Sequence, residues 1–314
     1  MEVERWYRLT AKNILMKKIC ITGLNGFIAS YVTQEALNRG YNIIGNIEGN
    51  IYEHEELFKD YKDRIKIYYG LDIRDSAGVY HMIERSDGVV HLAGLLGTKN
   101  VDNAWNFYDV NVRGGINVLE ACKQFNIPTV FIGVGNYFET NNYSNTKYAQ
   151  ERECLKYSKF SGVRGNVVRA LNAIGARQKW LNTGKILPTF IMKALHNEDI
   201  TVYGGKENCS VMDLVYAGDV AKVLLNVLEK TSSGEMKPAS NTYQAGTGIT
   251  PTVYEIAQWV LKEIPESTSK IVEVPMRFGE TPNSRVVADN PYPIDYRDIH
   301  EVIKEAVDYY KCQK

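Results

Sequence analysis

Ile19-Cys20-Ile21-Thr22-Gly23-Leu24-Asn25-Gly26-Phe27-Ile28-Ala29 is the stretch on which the fold turns. A short apolar run ends in a glycine turn, and the residues from Phe27 to Asn38 then carry helical spacing. The expected local structure is strand, tight turn, helix. Gly23 allows the turn, Gly26 lets backbone approach a pyrophosphate, and Ala29 is small enough for close packing of helix on strand. The helix N-terminus offers free N–H groups and positive partial charge to an anion.

Outward from this stretch the pattern alternates. Apolar runs recur at 41–47, 65–69, 88–92, 128–132 and 167–169. Helical spacing lies between them, most clearly at 111–125 and 144–156. Short β-rich runs alternating with longer helices predict βαβ units around a buried parallel sheet, a Rossmann-type doubly wound α/β fold. After Asn172 the rhythm changes, and segments such as 200–204 and 270–275 fall between loops and helices. The expected organisation is an N-terminal extension over 1–15 and a dinucleotide-binding domain over 16–172. Residues 173–314 then form mainly a smaller α/β substrate-binding lobe, interleaved with the first domain.

Composition narrows the class. Thirty-seven basic residues balance thirty-seven acidic ones in 314, and 44% of the chain is hydrophobic. A sizeable core is therefore possible, while the electrostatic footprint of a nucleic-acid or anionic-membrane binder is missing. Five widely spread cysteines, odd in number and without a CxxC pair, form neither a disulfide framework nor a zinc site. No apolar run approaches the ~18 residues a membrane span needs. Residues 1–15 are unlike a secretory signal. They read either as a docking arm or as the product of an upstream start, and a cytoplasmic location is expected.

Two further features carry chemistry. Glu48 closes the second apolar run about twenty residues beyond the glycines, where an acidic side chain takes ribose hydroxyls. No arginine stands near it to receive a 2′-phosphate, so NAD is favoured over NADP. Tyr143-Ser-Asn-Thr-Lys147 follows the fifth strand. Residues four apart share a helix face, so an ammonium can sit beneath a phenol and lower its pKa. Such a pair is a general acid/base suited to hydride transfer with nicotinamide.

With these motifs in order, the chain resembles the extended short-chain dehydrogenase/reductases: the nucleotide-sugar epimerases, 4,6-dehydratases and 4-ketoreductases. The resemblance runs from about Lys17 to the C-terminus. Leu71-Asp72-Ile73 is similar to the adenine-contacting segment, Val90-His91-Leu92-Ala93-Gly94 to the strand-four segment lining the cofactor, and Asn111-Val112 to the following asparagine. The resemblance implies an NAD site built from Gly23, Asn25, Gly26, Phe27, Ile28, Glu48, Asp72, Ile73, Leu92, Ala93, Gly94 and Asn111. Tyr143 would be the acid/base, and Lys147 would tune it and hold the nicotinamide ribose. In the second lobe, Asn172 and Arg277 resemble diphosphate-binding residues, and Tyr203 stands at the base-stacking position.

Two departures stand out. The family's Ser or Thr after strand five is replaced by Gly133-Val134-Gly135, with Thr140 or Asn136 as possible substitutes. The family's Arg-Asp pair appears as Met212-Asp213, so one phosphate-binding arginine is missing and Arg177 or Lys185 would compensate. The resulting expectation is an NAD-dependent nucleotide-diphosphate-sugar 4-epimerase or 4-ketoreductase, homodimeric through helices 111–125 and 144–156. The alternatives are a 4,6-dehydratase, disfavoured by the missing Thr-Asp-Glu, and a non-catalytic NAD-binding scaffold or sensor.

Overall fold

The computed structural model describes residues 16–97, 103–181, 184–277 and 282–313. The expected extension over 1–15, and Phe278-Gly279-Glu280 beside Arg277, lie outside the described residues.

The N-terminal elements are β1 (Lys18–Thr22), α1 (Phe27–Asn38), β2 (Asn42–Ile47), β3 (Ile65–Tyr69), α2 (Ser76–Ile83), β4 (Gly88–His91), α3 (Gly114–Phe125), β5 (Thr129–Val134), α4 (Asn142–Phe160) and β6 (Gly165–Ala170). They are followed by β7 (Asn172–Ile174), α5 (Ile186–Leu195), β8 (Ile200–Tyr203), β9 (Val211–Met212), β10 (Leu214–Tyr216), α6 (Ala217–Ser233) and β11 (Thr242–Ala245). The chain ends with α7 (Val253–Glu263), β12 (Ile271–Val274), β13 (Arg285–Val286) and α8 (Ile299–Lys311). Two compact units result: residues up to 168 with 221–242, and 169–220 with 243 onward.

The central sheet has seven strands in the order β11-β6-β5-β4-β1-β2-β3. β1 pairs in parallel with β2 on one side and β4 on the other, Ile19 standing opposite both Ile43 and Gly88. Ile19, Cys20 and Ile21 are wholly buried, as strands covered on both faces must be. The strand order reverses between β1 and β4. In doubly wound sheets the crevice beyond the strand ends at such a switch point is where ligands bind. Thr22 and His91 close those two strands.

Caps fix the helices that matter. Asp75 accepts the Gly78 N–H at the start of α2, and Asn141 accepts the Ser144 N–H at 2.9 Å at the start of α4. α3 ends on Asn126, whose left-handed φ of +52° closes the last turn. Helical spacing predicts one helix over 111–125, whereas the chain is α-helical only from Gly114. Residues Tyr108–Arg113 wind as a π turn. Wider turns of this kind re-aim side chains and cluster at functional sites, and Asn111 is buried by this one.

The second unit is organised differently. Its strands form parallel pairs, β7 with β10, β8 with β12 and β9 with β13. Ile191, Val202, Ile256, Val260, Val302 and Ile303 belong to its apolar core. Asp213, fully buried, collects the Thr247 N–H (2.8 Å), Gly248 N–H (3.0 Å) and Ala288 N–H (2.9 Å). One carboxylate thus joins two distant loops to β9 and β10. Among the described residues no helix is long and apolar enough to cross a membrane.

Candidate active site

The glycine turn is tight for a stated reason. Gly23 has φ +73°, and a Cβ there would lie 3.0 Å from the Ala93 backbone, so β1 and β4 close on each other only with glycine. Gly26 is the N-cap of α1; no side chain caps this helix end, and its first turn carries no acid. Uncapped N–H groups behind small residues are the arrangement a dinucleotide pyrophosphate requires, so the residues present fit that group. Asn46 adds support that sequence reasoning missed: its Oδ1 accepts the Gly23 N–H at 3.1 Å, and its Nδ2 donates to the Leu71 carbonyl at 2.8 Å. The signal was there, a lone amide inside the apolar strand Ile43-Ile44-Gly45-Asn46-Ile47.

The other expected cofactor residues distribute as follows. Glu48 is exposed just beyond β2, and Phe27 packs edge-on against Tyr31 in α1, next to half-buried Ile28. The Asn25 side chain spends both its groups on the loop after β2, donating to the Ile51 carbonyl and accepting the Glu53 N–H. Its role is therefore to shape that loop. Asp72 is gripped by the Arg74 guanidinium at 2.6–3.0 Å, which holds its carboxyl below the ordinary range. Ile73 is buried against Gly114. Leu92 and Ala93 both donate backbone N–H groups to Thr22 Oγ1 at 3.0 Å. A Cβ on Gly94 would meet Asn111 Oδ1 at 2.8 Å, so this glycine admits the asparagine.

Asn111 is central. Its Oδ1 accepts the Leu95 N–H at 2.7 Å, and its Nδ2 donates to Thr146 Oγ1 at 3.0 Å on α4. The Asn141 cap sets the register of α4, so Tyr143 and Lys147 fall on one face a turn apart. Lys147 is 4% exposed and donates its hydrogen bond to Gln150 Oε1. Burial pulls Lys147 down to about 7, opposed by the Glu151 carboxylate. Burial also pushes Tyr143 up to about 12. The Lys147 Nζ hydrogen bond goes to Gln150, and burial is the cause that acts on the Tyr143 phenol.

Val134, the last residue of β5, is buried; beyond it Asn136 accepts the Glu139 N–H through its backbone, and Thr140 is exposed just before the α4 cap. In the second unit the Arg277 guanidinium lies 3.8 Å over the Tyr203 ring, bringing together two residues far apart in sequence. Asn172 is held by the Asp213 carbonyl, through its N–H at 3.1 Å and its Nδ2 at 3.2 Å. Lys185 immediately precedes α5.

Comparison with known proteins agrees with this geometry. The model of the NAD dependent epimerase/dehydratase family matches residues 19–246. The chain is 27% identical to a UDP-N-acetyl-alpha-D-glucosaminuronate decarboxylase of Bacillus cytotoxicus, over 86% of this chain and 89% of that one. It is 26% identical to a putative UDP-glucose 4-epimerase of Methanocaldococcus jannaschii, over 93% and 98% of the two chains. Among solved structures, the Thermus thermophilus UDP-glucose 4-epimerase in complex with NAD superposes with a TM-score of 0.79 at 25% identity, over 94% of this chain and 99% of that one. With its glycine turn, its switch-point crevice and its Tyr143/Lys147 helix face, the chain belongs to the NAD dependent epimerase/dehydratase family, and its cofactor is NAD.

Proposed function

We propose that the protein oxidises and reduces C4 of a uridine-diphosphate sugar by hydride transfer with NAD, the net reaction being C4 epimerisation or reduction of a 4-keto sugar. The observation that carries this reading is the Tyr143/Lys147 pair on one face of α4, set in register by Asn141. NAD, when bound, would supply the hydride acceptor for the sugar carbon. Tyr143 takes the proton from the hydroxyl on that carbon and later returns it. Burial holds the Tyr143 phenol near 12, so little phenolate is present at neutral pH and a nearby positive charge is what shifts the balance toward it. Lys147, one turn away on the same helix face, would supply that charge when protonated and would also hold the nicotinamide ribose. Glu48 takes the adenosine ribose. Arg277, over the Tyr203 ring, offers a guanidinium fork to diphosphate oxygens, aided by Asn172 and Lys185.

The uridine base is carried over from the named relatives, which act on UDP-sugars. A C4 ketone would also make a C6 carboxylate a β-keto acid, which readily loses carbon dioxide. The test is therefore to incubate the protein and NAD with UDP-glucose, UDP-N-acetylglucosamine and UDP-glucuronate, and to separate products by chromatography with mass detection. An isomer of unchanged mass, or a redox product with matching nicotinamide absorbance, is expected. Loss of water or carbon dioxide would replace the proposed net reaction by a lyase reaction. No conversion of any sugar by NAD-bound protein would overturn the catalytic reading.

A further inference from the structure

One buried side chain beside this site has no part in the reading above. Gln150 lies one turn past Lys147 on α4 and is 1% exposed. Its Nε2 donates to the Asn111 backbone carbonyl at 2.6 Å and lies 2.9 Å from His91 Nε2, while its Oε1 accepts from Lys147 Nζ. The orientation of this amide is determined by its neighbours. A backbone carbonyl can only accept, so the NH2 end must face Asn111, which leaves the oxygen facing Lys147 whatever the charge on that amine. The second N–H of Gln150 then points at His91 Nε2, which must accept. With Nε2 accepting from Gln150, the His91 proton lies on Nδ1, facing Thr22 Oγ1 at 2.9 Å, an oxygen it then shares with the Leu92 and Ala93 N–H groups. Burial holds His91 far below its ordinary range, so it stays a neutral imidazole with one donor and one acceptor.

From this chain of contacts we propose that Gln150 is a positioning residue for the catalytic lysine: it fixes where Lys147 Nζ sits and how readily it gives up its proton, through a path Thr22–His91–Gln150–Lys147. The proposal rests on the acid/base reading of Tyr143 and Lys147. A neutral acceptor stabilises an ammonium less than a carboxylate would, so glutamine at 150 leaves the lysine able to switch charge near neutrality. The surroundings supply little competing charge. Among the described residues, Glu151 from α4 is the charged group that acts on Lys147, and Lys147 in turn acts on neutral His91 from β4. β5 carries no ionisable side chain, nor do residues Ala104–Phe107. In the π turn Asp109 is taken up by Arg74 and Arg113, and on α3 Glu120 by Tyr157.

The test uses the full chain with saturating NAD and lysines labelled with carbon-13 at Cε, the Lys147 signal being assigned by its loss in Lys147→Arg. Gln150→Glu is expected to raise the Lys147 midpoint by about one pH unit or more, as an opposite charge at contact does. Gln150→Met, which offers no comparable acceptor, is expected to lower it. The pH limb of kcat should move in the same direction, with KM for the nucleotide sugar within about twofold. Nitrogen-15 shifts of His91 give a reading independent of activity: the proton is expected on Nδ1 in the parent chain, and that preference should be lost in Gln150→Met. Folded variants with an unmoved Lys147 midpoint, or His91 protonated on Nε2 in the parent, would overturn the proposal. Tyr143→Phe is run alongside. If it retains full turnover, the acid/base reading itself has failed; if it is inactive while Gln150 variants leave Lys147 unmoved, only the positioning role has failed. Should Gln150→Met not fold, the near-isosteric Glu variant and the parent His91 shifts decide.

Discussion

At Tyr143 two opposing influences meet: a lysine one helical turn away and a half-buried environment that resists phenolate. Burial wins at the phenol, and it also strips charge from the lysine near neutral pH. A hydroxyl without its proton-transfer group cannot be oxidised efficiently, so Tyr143→Phe is expected to lose at least ~100-fold in kcat while NAD remains bound. Stopped-flow turnover together with a nicotinamide titration checks both halves of that statement. Arg277 is expected to behave differently. Arg277→Ala removes the charged fork over Tyr203 and should weaken nucleotide-sugar binding by about 2–5 kcal/mol, leaving NAD affinity unchanged. Isothermal titration with the two ligands separately checks it, and an effect below about threefold would assign the diphosphate to other cations.

Among the elements, β9 and β10 show how much one buried carboxylate can organise. Replacing Asp213 by Ala would leave the Thr247, Gly248 and Ala288 N–H groups without their acceptor. At about 1–3 kcal/mol for a stranded buried donor, a loss of roughly 3 kcal/mol or more is expected in urea unfolding. From the sequence Asp213 counted only as the surviving half of a family pair. Its work is visible only once 247–248 and 286–288 are brought to it. The π turn before α3 was equally illegible, because its residues continue the helical spacing of those that follow. By contrast β1, α1 and the face of α4 were legible, since a buried parallel strand, a glycine turn and a four-residue spacing each follow from local chemistry. Gln150 escaped notice because nothing in Tyr-Ala-Gln-Glu marks an amide as buried; its partners on β4 and the π turn lie 59 and 39 residues away.

For the molecule as a whole, the sequence alone expects a second lobe interleaved with the first. The compact first unit includes 221–242, a segment that returns after much of the second unit has been laid down. There Glu229 binds both Arg39 and Tyr41, at 3.0 and 2.8 Å, and Thr231 accepts from buried Asn166 at 2.8 Å. Leu228 lies over Gly88 at the start of β4. This arrangement bears on how the protein is made. A growing polypeptide whose synthesis has passed residue 168 has every strand of the first unit from β1 to β5, yet still lacks the helix that covers Gly88 and gives the Asn166 Nδ2 its acceptor. Its dinucleotide half therefore has to wait, incomplete, while some seventy further residues are translated, and exposed apolar surface at that stage invites aggregation or chaperone capture. A fragment ending at 168 is expected to be insoluble or molten, and supplying 221–242 through a short linker should restore a cooperative transition and NAD binding. Circular dichroism melts of the two fragments would measure how far the ribosome must travel before this cofactor site can exist.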